Sequence, residues 1–143
     1  MLPTSIVRAA LSAVLLAVPL AAPSDDEAGR QRVVEIRSYN LKPGTVDTFE
    51  RLFLEEARPL LDEWDIDVVA YGRSLHDENS WFLIRSFDDS AQRVRVESAF
   101  YGSAEWREGP REPILECIES YTTLVLPFAE ETVAQLRRSL RDD

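Results

Sequence analysis

From Arg32 onward the alternation of apolar and polar positions predicts a definite order of elements. RVVEIRSYNL, over Arg32–Leu41, alternates residue by residue, which is the period of a half-buried strand, and Lys42-Pro43-Gly44 ends it with a turn signal. Thr45 is placed to cap a helix beginning at Val46, and Val46, Phe49, Leu52, Phe53, Ala57, Leu60, Leu61 and Trp64 recur at helical spacing. Pro59 lacks an amide donor and is expected to kink or break the last turn of that helix. IDVVAYGRS (Ile66–Ser74) and WFLIRSF (Trp81–Phe87) read as strands joined through the polar stretch LHDENS. Asp88-Asp89-Ser90 then offers an N-cap to a helix over Ala91–Tyr101 that Gly102 stops. A short turn after Ser103 and a loop around Gly109-Pro110 precede a last strand, Glu116–Leu126, closed by Pro127. The tail, Phe128–Asp143, has helical spacing at Val133, Leu136 and Leu140.

The order β-α-β-β-α-β plus a tail helix is that of an α+β, ferredoxin-like unit, in which the first and third strands lie side by side at the centre. With 143 residues, 45% hydrophobic and 29% charged, the chain has the composition of one ordinary folded domain. Sixteen basic residues stand against 26 acidic ones, a net charge of −10, which argues against nucleic acid and anionic membrane surface as partners. One Cys and one His exclude a disulfide framework and the usual zinc sites, which leaves a site made wholly of carboxylates open; the expectation is no metal and no cofactor. The apolar neighbours of Cys117 point to a buried, inert thiol. His76 falls in the hairpin turn HDEN, a place for an exposed side chain rather than a catalytic one.

The first residues have another character. After Arg8, a small and apolar run extends from Ala9 to Pro23 with no acid before Asp25, the layout of a secretory signal with a cut after Ser24. The run is short for a membrane span, which takes about 20 apolar residues. The expected organisation is a signal peptide over 1–24, a linker over 25–31, the domain over 32–127 and a helical tail over 128–143. Export to a periplasmic or extracellular space follows, with no stable span once the leader is removed. An uncleaved leader tethering the protein to the membrane, a mitochondrial-type leader and an over-long start are the alternatives.

Strand periodicity divides the sheet into two faces. One carries Val34, Ile36, Val68, Ala70, Phe82, Ile84, Ile118, Leu124 and Leu126, an aliphatic surface suited to the two helices. The other mixes Tyr39, Tyr71, Trp81, Leu83, Phe87 and Tyr121 with Glu35, Arg37, Arg73 and Arg85. So much aromatic surface calls for a cover. The same face of a second copy would supply one, closing a dimeric α/β barrel; the tail helix folded over this face is the other solution. Arg37, Tyr39, Tyr71, Trp81 and Arg85 are then candidate ligand-binding residues, because guanidinium groups among aromatic walls suit a small anionic, aromatic ligand. Pairing of Arg37 with Glu35 or Glu119, merely satisfying a partly buried interface, is the competing expectation.

VVEIRSYNLKPG and the helix end EEARPLLDEWDI resemble the NIPSNAP family, through Glu35, Arg37, Tyr39, Lys42, Pro43 and Gly44, then Pro59, Leu60 and Leu61. IRSFDDSAQRVRVESAFYGSAEW is similar to that family's third strand and second helix, with Arg93 and Trp106 at matching places. The resemblance covers residues 32 to 127. It implies a dimeric α+β barrel and no agreed reaction or catalytic set. Animal members are mitochondrial, whereas this chain opens with an export-like leader. Two functions remain open: a homodimeric small-ligand-binding or interaction domain, and a cofactor-independent, monooxygenase-like enzyme of the same barrel superfamily. In the second case acid–base work would fall to Tyr39, Glu35 or Tyr71.

Overall fold

A computed structural model describes residues 29–140; the expected leader lies outside them. The elements are β1 (Gln31–Leu41), α1 (Val46–Leu52), α2 (Arg58–Glu63), β2 (Asp67–Arg73), β3 (Ser80–Phe87), α3 (Ser90–Gly102), α4 (Ala104–Glu108), α5 (Arg111–Cys117), β4 (Ile118–Ala129) and α6 (Glu130–Ser139). The four strands form one sheet in the order β2-β3-β1-β4, with every neighbouring pair antiparallel. The first and third strands are therefore central, as the ferredoxin-like order requires.

Local chemistry accounts for most boundaries. Gly44 adopts φ +80°, which the turn after β1 needs and a side chain would resist. Pro59 does not break its helix. Phe53–Ala57 form one wide π turn, and Pro59 falls in the first turn of α2, where a missing N–H costs least. Asp89 caps α3 by accepting from the Gln92 amide at 2.7 Å, and Ser103 caps α4 by accepting from the Trp106 amide at 3.2 Å.

Two boundaries differ from expectation. Residues around 111–117, read as loop and the start of a strand, form α5, so β4 begins at Ile118 rather than Glu116. Pro127 does not close β4, which continues to Ala129. An edge strand pairs on one side only, so a proline there need not remove a ladder bond.

The larger correction concerns the sheet faces. The aromatic and charged face lies beneath the protein's own helices, where Tyr39, Trp81, Leu83 and Phe87 form one core with Phe49, Phe53, Leu61, Phe100, Trp106 and Ile114. The aliphatic face, with Val34 and Ile84, meets Val133 and Leu136 of α6 instead. A second copy is thus not needed to cover the aromatic face, and the tail helix covers the opposite one. A β-bulge in β2 adds to the difference. Val68 lies opposite Arg85 and Ala70 opposite Ile84, so Val69 is an extra residue; Val68 and Tyr71 face α1–α5 while Val69 and Ala70 face α6.

Rings have the largest apolar area to bury, and the long helices present Phe49, Phe53 and Phe100 to receive them. Aliphatic alternation alone did not reveal which face would take the larger partner. Among the described residues, no helix is long and apolar enough to cross a membrane.

Candidate functional site

The antiparallel register of β1 and β3 places Glu35 opposite Arg85, Arg37 opposite Leu83 and Tyr39 opposite Trp81. Above them runs α3, whose Arg93, Glu97 and Tyr101 recur every four residues and so occupy one stripe of the helix. The stripe meets the strand charges. Glu35 and Arg85 are both 0% exposed and pair with each other. Arg85 also bonds Glu97, and Arg93 bonds Glu35, with its Nε 2.8 Å from Oε2. The Nε of Arg37 lies 2.9 Å from Glu35 Oε1. Arg37 thus pairs with Glu35, whereas Glu119 accepts from Asn40 at 3.1 Å.

Charge and burial compete within this cluster. Burial pushes the Glu35 carboxyl up, but the Arg85 charge, a hydrogen bond from Glu97 and the Arg37 charge outweigh it and hold its pKa at about 2. Glu97 moves the other way, raised chiefly by burial and then by its hydrogen bond with Glu35. Burial, followed by the neighbouring Tyr101, pushes the Tyr39 phenol up to about 12, so it remains a neutral hydroxyl at neutral pH.

Beside the cluster, between the β1–β4 half of the sheet and α3–α5, a cleft of about 370 Å³ opens to solvent. Arg37, Tyr39 and Tyr121 line its sheet side. Tyr101, Trp106 and Arg111 contribute from the helices, with Ile114, Leu115 and Ile118 as apolar wall. The guanidinium carbon of Arg37 lies 5.3 Å from the Tyr101 ring centroid and 5.7 Å from that of Tyr121, so two rings flank the charge. Ser103 and Gly109 set the α3–α4 and α4–α5 corners that carry Trp106 and Arg111 into place.

The family assignment follows from the same segment. The NIPSNAP family model matches residues 34–130, from within β1 to the first residue of α6. The chain belongs to the NIPSNAP family. Solved NIPSNAP structures have the same fold. A family protein from Agrobacterium tumefaciens superposes with a TM-score of 0.65 at 20% identity, covering 70% of this chain and 90% of that one. A NIPSNAP domain protein from Burkholderia xenovorans gives 0.62 at 18% identity, covering 68% and 95%. A putative antibiotic biosynthesis monooxygenase from Bacteroides thetaiotaomicron gives 0.54 at 10% identity, covering 66% and 87%, a likeness of fold. No curated protein matches the sequence.

Within this NIPSNAP domain, the five residues singled out from sequence share the helix-covered face but not one site. Arg37 and Tyr39 line the cleft. Trp81 and Arg85 are fully buried, Trp81 in the aromatic core and Arg85 in the charge cluster behind the cleft. Tyr71 stacks on Trp81 at 5.9 Å and borders a separate depression near Arg58 and Arg137. Arg73, grouped with the basic face, is half exposed and paired with Asp47 and Glu50.

Sequence reasoning missed Tyr101, Arg111 and Glu97 as site residues. The four-residue spacing of Arg93, Glu97 and Tyr101 was the available signal, but α3 presents a charged stripe where an apolar one is the usual mark of an inward face. The His76 side chain is 82% exposed in the β2–β3 turn, away from the cleft. Cys117 is buried, with Sγ 3.4 Å from the Pro113 carbonyl, and burial raises its pKa, keeping it a thiol. Among the described residues, no three His, Cys, Asp or Glu side chains gather as metal ligands.

Proposed function

We propose that this NIPSNAP domain is an exported, homodimeric binding protein for a small, partly aromatic anion held in the cleft between sheet and helices. The observation that carries the reading is the cleft itself, where Arg37 and Arg111 stand among Tyr39, Tyr101, Trp106 and Tyr121. Its volume falls within the roughly 300–1,000 Å³ usual for small-molecule sites, and aromatic walls with a few placed polar groups are the common lining. Arg111 has no ion-pair partner among the described residues. The outer sheet face supports a dimer. There Leu124 is 55% and Leu126 39% exposed beside half-buried Ile36 and Phe82, an apolar surface that a second copy would cover. The leader pattern supports export.

The fold likeness to putative monooxygenases favours a second reading, a cofactor-independent enzyme acting in the same cleft. The cleft offers it tyrosine hydroxyls but neither histidine nor cysteine.

Native mass spectrometry of protein purified from the producing cells tests the proposal in one measurement. The expected species is a dimer of chains lacking residues 1–24, carrying a small molecule that Ile118→Trp, which fills the cleft, excludes. A monomer at micromolar concentration, a chain that retains Met1, or a small molecule kept by Ile118→Trp would each remove the corresponding part.

A further inference from the structure

The charges behind the cleft do not balance. Arg37, Arg85 and Arg93 face Glu35 and Glu97, so three guanidinium groups share at most two carboxylates and at least one positive charge is in surplus. These side chains are largely or wholly buried; Arg37 is 16% exposed and Arg85 not at all. A buried cation without a counter-charge is unfavourable, and an anion brought beside it gains correspondingly.

The surplus points to the cleft through one atom. Tyr101 Oη accepts from Arg37 at 2.9 Å and from Arg85 at 3.0 Å. A phenolic oxygen has acceptor capacity for two such bonds and one proton to give. Both acceptor positions are taken by cationic donors, and among the described residues the hydroxyl donates to no protein group. Tyr101 lines the cleft, so its remaining capacity is a donor at the cleft wall, polarised by two guanidinium groups. The Tyr39 hydroxyl is a second neutral donor on the same wall.

Beyond this polar corner the lining is flat or apolar, with Trp106, Ile114 and Ile118. The space exceeds the roughly 150 Å³ that holds a benzene ring.

We propose that the cleft recognises a planar aromatic anion whose charged oxygen accepts from the Tyr101 hydroxyl beside Arg37. The inference rests on the cleft being a ligand site and names the ligand class. An oxyanion offsets the surplus charge beside Arg37, with Arg111 a further cation on the cleft wall, and a neutral aromatic leaves both uncompensated. Phenolate and carboxylate share this chemistry, and the probes below separate them.

Three probes of one ring size decide it: 4-nitrophenol at a pH where it is ionised, 4-nitrobenzoate, and neutral nitrobenzene. The better of the two anions binds about tenfold or more tightly than nitrobenzene and thereby names the head group. In Tyr101→Phe, which keeps the ring against Phe100 and Trp106 and leaves the guanidinium groups in place, that preference falls severalfold. On the unmodified protein, the absorbance of bound 4-nitrophenol shows a lower pKa than the free dye, a readout independent of how well the variant folds. Nitrobenzene binding as tightly as both anions, or a bound-dye pKa equal to or above the free value, would overturn the inference and leave the cleft as a ligand site. Failure of all three probes to bind would overturn the cleft reading itself.

Discussion

Glu35 shows how one residue ties fold to site. It is fully buried on a central strand, holds Arg85 and Arg93, and lies against Arg37, which reaches the cleft. Removing one partner of a buried ion pair leaves the others uncompensated, so Glu35→Gln is expected to destabilise the domain by about 3–5 kcal/mol, read by urea denaturation. The pH dependence has a definite sign. With its folded pKa at about 2 against an ordinary 4.5, Glu35 contributes stability that is complete above pH 4.5 and is lost as pH falls through about 2. Glu97 is shifted upward, so its contribution is present in acid and fades as pH rises through its raised value. Stability measured from pH 4.5 down to 2 should therefore fall less in Glu35→Gln than in the unmodified protein. Equal slopes would deny Glu35 this role. The sequence put Glu35 and Arg85 on one face in need of a cover, but not that α3 of the same chain supplies it, because α3 carries charge where an apolar stripe marks an inward face.

At the scale of elements, the strands and the two long helices were legible because period-2 and period-3.6 patterns run through most of them without interruption. Three features were not. A Pro-containing segment with Ile114 and Cys117 as its only buried residues is too short for helical periodicity to declare α5. The β2 bulge slips the alternation by one residue, which places Val68 and Tyr71 together against any reading by strict parity. The π turn before Pro59 is likewise invisible in an apolar spacing that tolerates one extra residue.

The α4–α5 corner yields a sharper consequence. A Cβ built on Gly109 would lie 2.4 Å from the Glu105 backbone oxygen, so Gly109→Ala must shift α4, which carries Trp106, relative to α5, which carries Arg111 and Ile114. The expected cost is about 1–3 kcal/mol, as for other overpacked sites, with weaker ligand binding in the remaining folded protein. A thermal melt and a binding titration on the same sample check both. An unchanged Tm would mean that the corner relaxes without disturbing the cleft wall.

For the whole molecule, the two sheet faces have exchanged the roles that the aromatic and aliphatic patterns suggested. Aromatic rings and a charge cluster with a positive surplus form the interior beneath the helices, and the aliphatic face is left to α6, with Leu124 and Leu126 exposed. The candidate site moves with them, from a barrel lumen between two copies to a cleft within one chain. Mapping amide and Trp106 indole chemical shifts while titrating 4-nitrobenzoate tests this relocation most directly. The account predicts perturbations grouped at Tyr101, Trp106, Arg111 and Ile118, around the cleft. Perturbations grouped instead at Ile36, Ile84 and Leu124, on the outer sheet face, would contradict it.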